Sequence, residues 1–298
     1  MGVRSGRPEW LRTQTLGGDG AARVRRLIGG AGLHTVCREA ACPNQGRCFE
    51  RGTATFLILG DACTRRCAYC AVRKASGPLP PPDQGEPRRV AESVLELGLS
   101  YAVVTSVTRD DLPDGGASVF AETIREIRSL CPGTRVEVLT PDFGGDEDSL
   151  SIVAGARPDV FNHNIETVER LFPLLRPGAS HRASLEVLAA FRAIAPGIPT
   201  KSGMMLGLGE TSADIRDSLS GLLAAGVSIL TLGQYLMPTR DHHPVDRFVT
   251  PAEFEDWRAE ALAAGFRAVA SGPLVRSSFD AAGSFESLSE PTGCGGRN

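Results

Sequence analysis

Apolar and polar positions alternate in two rhythms along this chain, and the rhythms take turns. Short runs rich in β-branched and aromatic residues fall at 53–60, 101–107, 135–140, 160–165, 200–208 and 229–236. Between them, segments with apolar residues at helical spacing fall near 88–97, 118–130, 146–154, 184–194 and 211–224, several opened by Ser, Asp or Thr residues placed to cap a first turn. Strand and helix patterns in strict succession are what repeated βα units around a parallel sheet produce. Six strands with five intervening helices predict an α/β fold, a partial (βα)6 barrel spanning 53–250. Residues 1–52 form an N-terminal extension with a hinge at Gly29-Gly30-Ala31-Gly32. A last helix near 251–263 and the segment 267–279 belong to a C-terminal extension, 251–298, whose Gly-rich tail is expected to be disordered. The stretch 77–83 reads Gly-Pro-Leu-Pro-Pro-Pro-Asp, an extended linker.

Composition narrows the function classes. At 298 residues and 42% hydrophobic content, the chain can bury a large core. A net charge of -3 gives no electrostatic case for nucleic acid as the main partner. No apolar stretch approaches the roughly 20 residues of a membrane span. The first residues carry charge and lack an apolar signal-peptide core, so a cytoplasmic location in a reducing compartment is expected.

The cysteines carry the chemistry. Cys63, Cys67 and Cys70 follow the first strand run with the spacing C-x3-C-x2-C, and aromatic Tyr69 precedes the last. Three thiolates within eight residues can hold an iron-sulfur cluster and leave one iron without a protein ligand, whereas structural zinc wants four. The spacing resembles the C-x3-C-x-aromatic-C signature of radical S-adenosylmethionine (SAM) enzymes. A second triplet, Cys37-x4-Cys42-x5-Cys48, lies just upstream. A zinc site made from four of the six thiolates is the competing reading; two three-cysteine clusters use all six. Cys131 reads as a small buried hydrophobe and Cys294 as a tail thiol.

In parallel βα architectures the loops after the strand ends carry the active site. Thr105 and Ser106 with Arg109-Asp110-Asp111 follow the second strand run, Asn162-His163-Asn164-Ile165-Glu166 closes the fourth, and Gly207 and Gly209 follow the fifth. Each is also readable as a turn or cap, and the glycines as a tight βα turn. His163 at a strand end suits a hydrogen-bonded structural role better than metal ligation. His242 and His243 suit a solvated loop.

Six motifs in order resemble the lipoyl synthase family of radical SAM enzymes: Glu39-Ala40-Ala41-Cys42-Pro43-Asn44, Arg66-Cys67-Ala68-Tyr69-Cys70, Arg109 to Gly116, Asn162 to Val168, Lys201 to Thr211, and Arg276-Ser277-Ser278. The resemblance runs from about residue 10 to residue 279. One departure is Phe279, where the family motif Arg-Ser-Ser-Tyr has tyrosine; the ring is kept and the phenol lost.

The resemblance implies a radical SAM barrel and sulfur insertion at C6 and C8 of an octanoyl chain on a carrier lysine. An unactivated C–H bond lies beyond any side-chain base, so a radical is needed. It implies two 4Fe-4S clusters. One, on Cys63, Cys67 and Cys70, would take SAM and generate the radical. The other, on Cys37, Cys42 and Cys48 with Ser278 as its oxygen ligand, would supply sulfur, and a hard oxygen ligand would make its iron the easiest to lose. Analogy with radical SAM barrels implies Thr105, Ser106, Asn164, Glu166, Gly207 and Gly209 as SAM contacts. Lys201 and Arg276 are candidates for seating substrate or cluster, or for plain solvated or ion-paired charge. The implied partners are octanoylated lipoyl-carrier domains (2-oxoacid dehydrogenase E2 subunits and the glycine cleavage H protein), an electron donor and an iron-sulfur cluster repair partner, with no nucleic acid and no membrane. The rival readings are another radical SAM enzyme with an auxiliary cluster, and a two-cluster electron carrier.

Overall fold

A computed structural model describes residues 6–12, 18–51 and 54–288; Cys294 and the tail from 289 lie outside the described residues, as does residue 53. The strands are β1 (His34–Thr35), β2 (Thr55–Ile58), β3 (Ala62–Cys63), β4 (Arg73–Lys74), β5 (Tyr101–Ser106), β6 (Arg135–Leu139), β7 (Val160–Asn162), β8 (Thr200–Leu206), β9 (Ile229–Gln234) and β10 (Ala268–Gly272). One sheet runs β1-β2-β5-β6-β7-β8-β9-β10, and β3 pairs with β4 in a separate parallel ribbon. From β2 through β10 every neighbouring pair in the large sheet is parallel, while β1 is antiparallel to β2.

The six expected strands stand in the expected order, and the helices Glu86–Leu97, Ala117–Leu130, Glu147–Gly155, His181–Ile194 and Ser212–Ala224 alternate with them. Burial drives the arrangement. Phe56, Val104, Val138 and Phe161 are wholly buried on the strands, and Phe161 stacks on Phe191 of the following helix at a centroid distance of 3.7 Å. Local chemistry sets the helix starts. Thr211 and Asp214 form a reciprocal capping box, Thr250 and Glu253 form another before Pro251–Ala264, and Ser180 caps a helix that begins at His181 rather than 184.

All six strands are shorter than the apolar runs suggested, and at three of them a left-handed residue lies at or just beyond the end. β2 stops at Ile58 because Leu59 and Gly60 turn left-handed, at φ 68° and 90°. β7 stops at Asn162, and Glu166, at φ 66°, rejoins β8 through a single bridge to Met204. β8 stops at Leu206 because Gly207 turns at φ 94°. Four strands were not expected. β1 lies in the N-terminal segment, β3 and β4 form the separate ribbon, and β10 lies in 267–279, where it extends the sheet beside β9.

Candidate active site

The loop from Cys63 to Cys70 is pinned from several directions. Thr64 N–H donates to Thr108 O at 3.0 Å, Ala68 N–H to Leu175 O at 2.9 Å, and Ala75 N–H to Cys63 O at 2.8 Å. Arg65, with a side chain 14% exposed, reaches both Asp110 at 2.8 Å and Asp142 at 2.7 Å. Arg109 donates to Asp111 and to Pro80 O at 2.9 Å, tying the Pro-rich linker to the loop after β5. Within the Arg109-Asp110-Asp111 run, Asp110 fastens the cysteine loop and Arg109 fastens the linker. The histidine segment at 242–243 is not the solvated loop its composition suggested. His242 Nε2–H donates to Cys70 O at 3.1 Å and His243 N–H to Ala68 O at 2.9 Å, so it closes over the cysteines.

At the C-terminal ends of the parallel strands lies a cavity of about 700 Å³. Cys63, Cys67 and Cys70 open onto it from one side, Cys42 and Ser278 from another. Cys37 and Cys48 are not on its wall, and Cys37 lies within electrostatic reach of both Cys42 and Cys48. Burial, then the neighbouring Cys42, pushes the Cys37 thiol up to about 12. Burial also raises Cys42, against the pull of Arg276, and raises Cys70, against the pull of Lys74. Iron must displace protons from such thiols, so loading releases protons. Among the described residues, no three His, Cys, Asp or Glu side chains gather closely enough to hold a single metal ion.

The polar wall fits a polar ligand. Ser106 Oγ, Asn164 Oδ1, His163 Nε2 and Arg176 Nε are buried without a hydrogen-bond partner, and all four residues line the cavity. Buried polar groups are otherwise nearly always satisfied, so a ligand with ammonium, carboxylate and hydroxyl groups suits them. Thr105 also lines the cavity, but its hydroxyl is spent on Leu139 O at 2.8 Å. Glu166 lines it with left-handed backbone; burial raises its carboxyl against the influence of Arg176 and the Asn164 amide. Such strain, on the order of 1–3 kcal/mol, clusters at functional sites. His163 Nδ1–H donates to Thr140 O at 3.0 Å, and burial lowers the ring to about 4, so it is neutral at neutral pH.

Gly207 and Gly209 are not on the cavity wall. Glu210 accepts the N–H groups of Gly207 at 2.6 Å and Leu208 at 2.9 Å, and a side chain at 207 would run into Gln234 and the Arg247 carbonyl. These glycines form the tight βα turn. Lys201 is also absent from the wall: wholly buried, it pairs with Glu137 at 2.9 Å, and Asn162 and Tyr101 complete the network around that carboxylate.

The segment 274–279 folds back into the barrel. Asn44 Nδ2–H donates to Leu274 O at 2.6 Å, tying it to the upstream cysteine segment. Asn164 Nδ2–H donates to Ser277 Oγ at 2.6 Å, and Arg276 lies where Cys42 and Glu166 both support its charge against burial. The Arg47 guanidinium, on the helix that carries Cys48, covers the Phe279 ring at 5.4 Å from its centroid. A ring suffices for that contact. Arg176 and the inward histidine segment have no short motif that marks them in sequence.

Residues 57–221 match the model of the radical SAM superfamily. The fold is similar to crystal structures of methylornithine synthase, at TM-score 0.57 and 13% identity over 85% of this chain and 72% of that one, and of HydG, a maturase of the FeFe-hydrogenase, at TM-score 0.57 and 14% identity over 72% and 50%. Fold and cysteine site together define a radical SAM enzyme. The sequence is 56% identical to lipoyl synthase of Methylococcus capsulatus over 92% of this chain and 85% of that protein, and 55% identical to lipoyl synthase of Chloroflexus aggregans over 93% and 90%. The chain belongs to the lipoyl synthase family.

Proposed function

We propose that this enzyme inserts two sulfur atoms, at C6 and C8 of a protein-bound octanoyl-lysine, to give the lipoyl group. The observation that carries the reading is the shared cavity: Cys63, Cys67 and Cys70 face it together with Cys42 and Ser278. Sulfur insertion into a C–H bond needs a radical source and a sulfur source within reach of one carbon chain. One open cavity serves both.

Cys63, Cys67 and Cys70 would hold a 4Fe-4S cluster that delivers one electron to SAM, giving methionine and a 5′-deoxyadenosyl radical for each C–H bond broken. Cys37, Cys42, Cys48 and Ser278 would hold the second 4Fe-4S cluster, the source of sulfide. Around them the protein's own groups do the binding. Ser106, Asn164 and Glu166 present hydroxyl, amide and carboxyl groups to SAM, with Thr105 packing beside them. Neutral His163 adds an acceptor and Arg176 a fixed positive charge. Arg65 and His242 hold the cysteine loop still. The half-apolar lining, including Met204, Met205 and Leu236, suits an alkyl chain and keeps water from a carbon radical.

The substrates are octanoylated carrier domains of the 2-oxoacid dehydrogenase E2 subunits and the glycine cleavage H protein. An electron donor and an iron-sulfur cluster repair partner complete the cycle, in the cytoplasm. None of the described helices is long and apolar enough to cross a membrane. The test is anaerobic incubation with SAM, a reductant and an octanoyl-lysine peptide, followed by mass measurement. Two added sulfur atoms per peptide are expected, with two molecules of 5′-deoxyadenosine formed. A two-cluster electron carrier would cleave no SAM.

A further inference from the structure

Glycine is a poor strand residue, and inside a strand it marks a place where another backbone comes close. Gly203 in the middle of β8 and Gly233 on the adjacent β9 both have φ outside the left-handed region, so conformational freedom does not explain them. Space does. A methyl group on Gly233 would collide with the Val275 carbonyl and stand 3.2 Å from Arg276 Nη1. A methyl group on Gly203 would stand 2.5 Å from Thr231 Oγ1 and 2.9 Å from both Asn164 Oδ1 and Ser277 Oγ. The two strands are in register, Gly203 opposite Thr231 and Met205 opposite Gly233. The missing side chains therefore leave a slot on one face of the two strands, occupied at Gly233 by the Val275 carbonyl and at Gly203 by the Ser277 hydroxyl together with the Thr231 and Asn164 side-chain ends.

We propose that Gly203 and Gly233 are positioning residues: they form the slot that seats residues 275–277 and so set Ser278 against Cys42. This rests on the reading of Ser278 as a ligand to the second cluster. The contacts at the ends of the slot, Asn44 on Leu274 and Arg47 on Phe279, hold the segment along its length but do not set its depth. Depth is set by what the strands leave out. An alanine at 233 lifts the Val275 carbonyl, and Ser278 moves with it.

Trypsin reads the seat directly, because cleavage after Arg276 requires 275–277 to leave the slot. In Gly233→Ala, cleavage at Arg276 should rise by at least about tenfold, the factor that 1.4 kcal/mol commands. The anaerobically reconstituted variant should, at saturating SAM, still form 5′-deoxyadenosine, form at least about tenfold less thiolated peptide by the same scale, and show the EPR signal of a three-iron cluster at the second site. Gly203→Ala should shift cleavage at Arg276, thiolated product and the three-iron signal in the same direction. It carries the test if the Gly233 variant does not fold, since its methyl group meets side-chain ends rather than a carbonyl. Unchanged cleavage at Arg276, or raised cleavage with normal product and no three-iron signal, would overturn the proposal. The protease readout needs no cluster, so a wild-type enzyme that fails to thiolate the peptide would refute the function and leave the seat standing.

Discussion

Asn164 donates its amide to the Ser277 hydroxyl at 2.6 Å, across 113 residues of sequence. The same amide nitrogen donates to Glu166 at 3.1 Å, so one side chain joins the proposed SAM wall to the segment carrying Ser278. Two adjacent serines thus have different duties. Ser277 is committed to the wall, and Ser278 is the one we assign to the proposed second cluster.

The serines should separate in assay. Ser278→Ala should leave SAM cleavage standing and lower thiolated product by at least about tenfold, while Ser277→Ala should raise the KM for SAM by about threefold to tenfold, the worth of one hydrogen bond of about 1 kcal/mol. Kinetics with SAM as the varied substrate check both. Equal effects from the two variants would contradict the division.

The two triplets should fail in different ways. Cys67→Ala removes a ligand of the open-iron site and should abolish 5′-deoxyadenosine formation. Cys42→Ala should retain it and give no thiolated peptide. Chromatography of the nucleoside alongside mass measurement of the peptide reads both at once, and a lipoyl product from Cys42→Ala would assign the sulfur elsewhere.

Much of this was legible from sequence because the signals were local. Apolar runs located six strands, and thiol spacing located both triplets. β10 escaped because Ala268-Val269-Ala270-Ser271-Gly272 is short and small-sided, without the alternation that marks a strand. Gly207 carries two readings in sequence, because a glycine chosen for close approach to a nucleoside looks the same as one chosen for its φ; its φ of 94° supports the turn. Lys201 sits in a motif that resembles the family's, but its partner, Glu137, lies 64 residues away. Gly203 and Gly233 had no readable meaning until the chain folded back upon them.

The Lys201–Glu137 pair should matter for stability rather than chemistry. Lys201→Met leaves a buried carboxylate without its cation, at a cost of about 3–5 kcal/mol, and Lys201→Met with Glu137→Leu should recover most of it. Denaturant unfolding measures the cycle. A single variant as stable as wild type would contradict the burial of that charge.

His163 should make the fold acid-sensitive. Its pKa falls from an ordinary 6.5 to about 4 on burial. Between those values the unfolded chain binds a proton that the folded chain refuses, so stability is lost as pH falls from 6.5 toward 4. The loss from this residue amounts to about 3 kcal/mol. Unfolding at pH 7.5 and pH 4.5 should show a smaller difference for His163→Gln than for wild type; equal differences would mean the ring is protonated in the folded state.

The central claim is that Cys63, Cys67 and Cys70 serve the radical while Cys37, Cys42, Cys48 and Ser278 hold the sulfur that is transferred. Rebuilding the clusters with heavy-isotope sulfide, then running a single turnover on octanoyl-lysine peptide in light-sulfide medium, tests it most directly. Two heavy sulfur atoms in the product peptide are predicted; a product carrying light sulfur, or no sulfur, would contradict the account.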